Sequence, residues 1–205
     1  RRVQLLTWVT LFLTFDLILF GAFTRLTDSG LGCPDWPGCY GHASPVGAQQ
    51  AIESAQTQMP TGPVTHTKAW IEMVHRYMAM AVGGLILTLA AFAWWRKLRG
   101  DGGSDVALPS FTLLWVCLQG AFGALTVTMK LFPLIVTLHL MGGLALLALL
   151  TVQVQRQRLH SGLAMSVPLC PWLYGLVWLG LALLSLQILL GGWVSTNYAV
   201  LACNT

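Results

Sequence analysis

The sequence predicts an all-α integral membrane protein, built as a four-helix transmembrane bundle followed by a fifth transmembrane helix. Two observations predict this class. First, 56% of the 205 residues are hydrophobic and only 9% are charged, a composition that soluble domains of this size do not carry. Second, the apolar residues fall into five long runs, at 3–23, 70–95, 110–129, 134–152 and 172–194.

Each run is long enough to cross a bilayer, because about 20 helical residues span the hydrocarbon core. We expect helices rather than strands, since a backbone in lipid must satisfy its hydrogen bonds internally and the runs show no period-two alternation. The first run is too long for a cleaved signal peptide, and no small-residue cleavage site follows it. We therefore expect all five runs to remain in the membrane.

The basic residues between the runs predict the orientation. One side of the membrane receives the larger set: Arg1, Arg2, Arg96, Lys97, Arg99, Arg156 and Arg158. The other side receives Arg25, Lys68 and Lys130. The positive-inside rule then predicts a cytoplasmic N-terminus and a long outer loop at 24–68. Because this placement accounts for the net charge of +4, the expected partner is membrane lipid and no nucleic acid.

An internal repeat predicts a second, incomplete unit. The segment 18–33 reads ILFGAFTRLTDSGLGC, and the segment 188–203 reads ILLGGWVSTNYAVLAC. Their matches continue out of the helix and end on a cysteine, which indicates a tandem duplication of a four-helix unit in one orientation. The predicted domains are a first repeat at 1–165 and the first helix and loop start of a second repeat at 166–205. On this interpretation the sequence is a fragment, and Cys203 begins a second outer cysteine pair.

Ionisable residues at membrane depth indicate a candidate site. Glu72, His75 and Arg76 share one face at the start of the second run, where they form either a functional group facing a ligand or an interfacial collar with an ion pair. His139 in the fourth run lies at a matching depth. Two histidines on separate helices can ligate one heme iron from both sides, so the pair favours a heme site over packing histidines. The role of Asp16, in the middle of the first run, stays open.

The outer loop contains a close cysteine pair in SGLGCPDWPGCYG. Cys33 and Cys39 on an oxidising face favour a disulfide. Zinc binding is the weaker alternative, because His42 is the only further ligand nearby and the spacing is not that of a zinc knuckle. We expect Cys117 and Cys170 to be reduced and structural.

Taken together, the motifs TRLTDSGLGCPDWPGCYG, EMVHRYMA, QGAFGALTV and VTLHLMGG resemble those of the bacterial heme A synthases, in order and over essentially the whole chain. The resemblance implies two four-helix halves and an enzyme that oxidises the C8 methyl group of heme O to the formyl group of heme A for cytochrome oxidase. It implies that His75 and His139 hold the substrate heme O, that Glu72 is a catalytic carboxylate, and that Cys33 and Cys39 are the outer-loop pair. A heme b is implied in the C-terminal half.

The resemblance also implies a multi-pass protein of the bacterial inner membrane, with heme O synthase and cytochrome oxidase assembly proteins as candidate partners. We expect the 205 residues alone to bind a heme without converting it. Two alternatives stay open. A bis-histidine membrane cytochrome b for electron transfer would need the two histidines but neither Glu72 nor the cysteine pair, and a heme carrier would deliver heme O unchanged.

Overall fold

A computed structural model describes residues 2–100, 105–163, 168 and 170–199. This part of the chain forms six α-helices: α1 (Arg2–Leu26), α2 (Gln49–Gln58), α3 (His66–Leu98), α4 (Ala107–Thr128), α5 (Pro133–His160) and α6 (Pro171–Thr196). All except α2 are long and apolar enough to cross a membrane. The predicted all-α membrane class with five spans is therefore confirmed.

Four of the five membrane-spanning helices extend beyond their apolar runs at both ends, and α4 does so only at its N-terminal end. α3 begins at His66 rather than at 70, because the Thr65 hydroxyl caps the helix by accepting a hydrogen bond from the Lys68 amide at 3.2 Å. α5 begins at Pro133, whose missing N–H costs nothing in the first helical turn. α2 lies within the outer loop and is too polar to be found by a search for apolar runs.

Four helices form the bundle. α1 packs against α3 and α5, and α4 packs against the same two helices. In the described part of the chain, α3 and α5 make no backbone contact with each other. α3 and α5 therefore lie on one diagonal of the bundle, and α1 and α4 on the other. α6 packs against α5 outside this ring.

The inner half of the bundle is filled by apolar side chains. Val82 and Ile86 of α3 pack with Leu146 and Leu150 of α5, and side chains of α1 and α4 close the cluster. The buried side chains of α1 are threonines, and each hydroxyl donates a hydrogen bond to the carbonyl four residues earlier. These bonds satisfy the hydroxyls without water. Large apolar side chains cover the outer surface of the helices, as expected for contact with lipid.

Candidate functional site

His75 enters the bundle from α3 and contacts α1. Its ring stacks on Phe20 with ring centroids 6.3 Å apart. It also lies against Gly21, where an added Cβ would come within 2.9 Å of the histidine Cε1. A side chain at Gly21 would therefore take up the space beside the ring. His75 Nδ1 is buried and has no hydrogen-bond partner among the described residues.

His139 enters the bundle from α5 and contacts α4. Gly123 lies against its ring, and an added Cβ there would be 3.3 Å from the histidine Cε1. Because α3 and α5 are diagonal, the two histidines come from opposite sides of the bundle, each next to a glycine of a different neighbouring helix. One glycine of a neighbouring helix therefore lies against each ring.

The two histidines lie at the same level relative to the packed core. Val82 lies two helical turns after His75, and Leu146 lies two helical turns after His139. At 1.5 Å per residue, the core layer begins about 10 Å deeper along both helices. Their levels match, as two axial ligands of one planar macrocycle require.

These residues fit a heme better than a bare metal ion. Within the described residues, no group of three or more histidine, cysteine, aspartate or glutamate side chains could hold a metal ion. Two imidazoles on opposite sides, beside Gly21 and Gly123, instead match the axial positions of a heme, whose remaining four ligands belong to the porphyrin.

Gln119 of α4 contacts His139 directly and was missed by sequence reasoning. Its Nε2 lies 3.1 Å from Nδ1 of the histidine and donates a 2.5 Å hydrogen bond to the histidine carbonyl. The available signal was a polar amide in the middle of an apolar run. One turn earlier, the indole of Trp115 donates to the carbonyl of Gly142 at 2.9 Å. Two polar side chains thus link α4 to α5 beside His139.

Glu72 and Arg76 bind the outer loop rather than His75. One oxygen of Glu72 accepts a 2.7 Å hydrogen bond from the Cys33 amide, and the other pairs with the Arg76 guanidinium. The side chains are only 5% and 10% exposed, respectively, so the pair is buried and not a water-exposed collar. In the described part of the chain, no hydrogen bond joins Glu72 to His75. We call Glu72 and Arg76 the loop clamp.

Arg76 extends the loop clamp over residues 33–39, which we call the disulfide loop. Its guanidinium donates to the carbonyls of Asp35 at 2.9 Å, Gly38 at 2.6 Å and Cys33 at 3.2 Å. These bonds hold the disulfide loop on α3 at Glu72, three residues before His75, and at Arg76, the residue directly after it. Gly32 permits this approach, because a Cβ there would lie about 2.6 Å from backbone atoms of Lys68.

Within the disulfide loop, Cys33 and Cys39 are joined by a disulfide and are fully buried. Neither sulfur is therefore available to zinc. Asp35 accepts hydrogen bonds from the amides of Tyr40 and Gly41 at 2.6 and 2.7 Å. Burial and the neighbouring Asp35 carboxylate raise the pKa of Tyr40 above its ordinary value.

The remaining candidates lie apart from this group. Asp16 is half-buried, and the described residues offer it no hydrogen bond or ion pair. Cys117 and Cys170 are free thiols, as predicted, but both are exposed. Neither thiol packs in the core of the described residues, so their structural role stays a prediction. Cys203 lies outside the described residues.

Comparison with known proteins identifies the family. The sequence profile of the COX15-CtaA family, described as cytochrome oxidase assembly protein, matches residues 4–205. The chain belongs to this family. It is 43% identical to a heme A synthase of Shewanella oneidensis over 97% of this chain and 59% of that protein.

Other heme A synthases match less closely. That of Bacillus pumilus is 26% identical over 98% of this chain and 61% of its own length. That of Bartonella quintana is 30% identical over 60% of this chain and 37% of its own length. No solved structure matches the chain. This member of the COX15-CtaA family spans about three fifths of the length of the Shewanella relative. The resemblance to heme A synthases that the motifs indicate is confirmed.

Proposed function

We propose that this chain is the heme O-binding half of a heme A synthase, an oxidoreductase that converts the C8 methyl group of heme O to the formyl group of heme A. Membership of the COX15-CtaA family supports the proposal. The observation that carries it is the pair His75 and His139, which come from diagonal helices at one level of the bundle. A bis-histidine site is a well-known way to hold heme iron.

In this proposal each element of the site has a separate task. The imidazoles of His75 and His139 bind the iron of the substrate from its two faces. Gly21 and Gly123 leave space beside the imidazoles, and the packed layer that begins at Val82 limits how deeply the heme enters. Apolar helix walls and surrounding lipid accommodate the farnesyl tail of heme O.

Glu72 acts in this proposal as the carboxylate required for the reaction, and it does so from its place in the loop clamp. Its contacts with the Cys33 amide and Arg76 support a role in fixing the outer wall of the site. The methyl oxidation also requires electron transfer. We assign that task to a heme b in the second half, so that residues 1–205 alone bind heme but do not convert it.

We further propose the tandem organisation, with a first repeat at 1–165 and the beginning of a second at 166–205. This organisation is supported by contacts between residues that occupy equivalent positions in the two repeats, which are 170 positions apart. The Arg25 guanidinium donates to the Ser195 carbonyl at 2.5 Å, and the Tyr198 hydroxyl donates to Asp28 at 3.1 Å; both pairs are separated by 170 positions. Equivalent positions of two repeats meet in this way beside a pseudo-two-fold axis.

The proposed location is the bacterial inner membrane, with the N-terminus in the cytoplasm. The C-terminal ends of α3 and α5 lie on the same side as the N-terminus and are rich in basic residues. This excess supports the orientation. The disulfide loop then faces the oxidising compartment. Heme O synthase and other cytochrome oxidase assembly proteins are the proposed partners.

Pigment extraction tests the function. The protein is expressed in full length beside a source of heme O, and the extracted hemes are separated. Heme A in the extract supports the proposal, heme B alone indicates an electron-transfer cytochrome, and unchanged heme O indicates a carrier. His75→Ala and His139→Ala should each abolish the low-spin spectrum of this site. His160→Ala is the matched control, because this exposed histidine lies at the far end of α5.

A further inference from the structure

We propose that Gln119 is a positioning residue for heme-bound His139, whose imidazole it fixes through a hydrogen bond to Nδ1. The inference rests on the proposed heme site. Gln119 lies within the membrane-spanning helix α4, on a different helix from the histidine that it contacts.

The packing around Gln119 is built for its amide. A Cβ at Gly142 would collide with Oε1 of Gln119, so the glycine provides the room that the amide occupies. The amide also holds the carbonyl of His139, so it contacts both the backbone and the ring of one residue. A polar amide in an apolar span is costly unless it is hydrogen-bonded. In this structure the contacts of Nε2 with His139 provide the compensation.

Iron ligation defines the direction of the hydrogen bond. An imidazole that binds iron through Nε2 carries its proton on Nδ1, and Nδ1 then donates. The amide of Gln119 has an acceptor, Oε1, and a donor, Nε2, which exchange places when the amide turns over. In the heme-bound state the amide is turned over, so that Oε1 accepts the Nδ1 proton of His139 and the bond from Nε2 to the His139 carbonyl is released. This bond fixes the plane of the ring and increases the basicity of the ligand.

The two axial ligands are thereby different. Within the described part of the chain, His75 has no hydrogen-bond partner at Nδ1 and is held by stacking on Phe20. His139 has a hydrogen-bonding neighbour at the same atom. His139 is consequently the stronger electron donor to iron, and Gln119 contributes to the reduction potential of the heme at this site.

Gln119→Leu and Trp115→Phe form a matched pair of variants. Gln119→Leu removes the contacts of the amide with the imidazole and the carbonyl of His139, and Trp115→Phe removes the hydrogen bond to the Gly142 carbonyl. Both variants weaken the link between α4 and α5, but only the first removes a contact with the imidazole. The full-length, heme-loaded protein is titrated by reductant, and the signal of this site is isolated as the difference from His139→Ala. The readouts are the midpoint potential and the low-spin spectrum.

We expect the potential to shift in the positive direction in Gln119→Leu, because the ligand loses its acceptor. It should shift in the negative direction in Gln119→Glu, because a carboxylate is a stronger acceptor, and stay unchanged in Trp115→Phe. Loss of heme from Gln119→Leu with retention in Trp115→Phe also supports the proposal. An unchanged potential in Gln119→Leu, or equal effects of Gln119→Leu and Trp115→Phe, would overturn it. An unchanged spectrum in His139→Ala would instead overturn the proposed heme site.

Discussion

Replacing Arg76 with methionine should release the disulfide loop from α3 and destabilise the protein by about 3–5 kcal/mol, the cost of removing one partner of a buried ion pair. The magnitude follows from burial. Glu72 is only 5% exposed, so its carboxylate would keep the Cys33 amide but lose its cation. The carbonyls of Asp35 and Gly38 would also lose their donor. These carbonyls are only partly buried, so water can replace Arg76 there. We therefore expect the destabilisation to fall in the lower half of this range.

A double-mutant cycle separates the ion pair from the other contacts of the loop clamp. Glu72→Gln keeps an acceptor for the Cys33 amide and leaves Arg76 bound to loop carbonyls, so its cost should be about 1.5–3 kcal/mol. In Glu72→Gln/Arg76→Met no charge is stranded. The double variant should therefore cost less than the sum of the single variants, with a coupling energy on the order of 1–3 kcal/mol.

Two assays measure the outcome. Thermal unfolding in detergent micelles reports stability, and chymotryptic cleavage after Tyr40, detected by mass spectrometry, reports release of the loop. Lys68→Met is the matched control, since it removes an outer ion pair with Asp28, which is 56% exposed; such pairs contribute about 0–1 kcal/mol. Equal stability and cleavage in Arg76→Met and Lys68→Met, or strictly additive costs in the cycle, would refute the reasoning.

Four further predictions concern the reaction and its site. Glu72→Gln should retain the low-spin heme spectrum while the extracted heme A falls sharply; normal heme A production would leave the carboxylate with a structural role only. Cys33→Ser should cost about 2 kcal/mol, because the closed ring is short, and equal thiol alkylation of the native protein with and without reductant would exclude the disulfide. Gly21→Ala should lower heme occupancy by displacing the His75 ring, whereas Gly83→Ala, at a position with open space, should not, as absorbance at the Soret band will report. Residues 1–205 expressed alone should bind heme without making heme A, and turnover would contradict the proposed division between the halves.

The sequence predicts the membrane helices well because transfer into lipid is a large signal summed over many residues. It does not predict helix ends that continue into water. The Thr65 cap extends α3 to His66, although the apolar run begins only at 70. α2 was also missed, because the prediction relied on apolar runs and this helix is polar. Its polar sequence folds against α3 on the outer side, where hydropathy carries no information.

Within the site, contacts between residues close in sequence could be predicted, whereas contacts between residues far apart in sequence could not. Helical spacing predicts the pair of Glu72 with Arg76, but not the bond from Glu72 to Cys33, which lies 39 residues away. His139 was identified as an isolated ionisable residue in an apolar run. Gln119 was not, because a neutral amide is inconspicuous and its partner lies on another helix.

Glu72, His75 and Arg76 were predicted to share one helix face, but the structure divides that face between two neighbours. At about 100° of rotation per residue, the side chains of His75 and Arg76 diverge by roughly a quarter turn. Arg76 meets the disulfide loop, while His75 meets α1 through Phe20 and Gly21. The tilt of the imidazole is therefore set by α1, and the loop clamp fixes the outer end of α3. A disturbance of the disulfide loop consequently reaches the proposed iron site through the position of α3, because no hydrogen bond among the described residues links the loop clamp to His75.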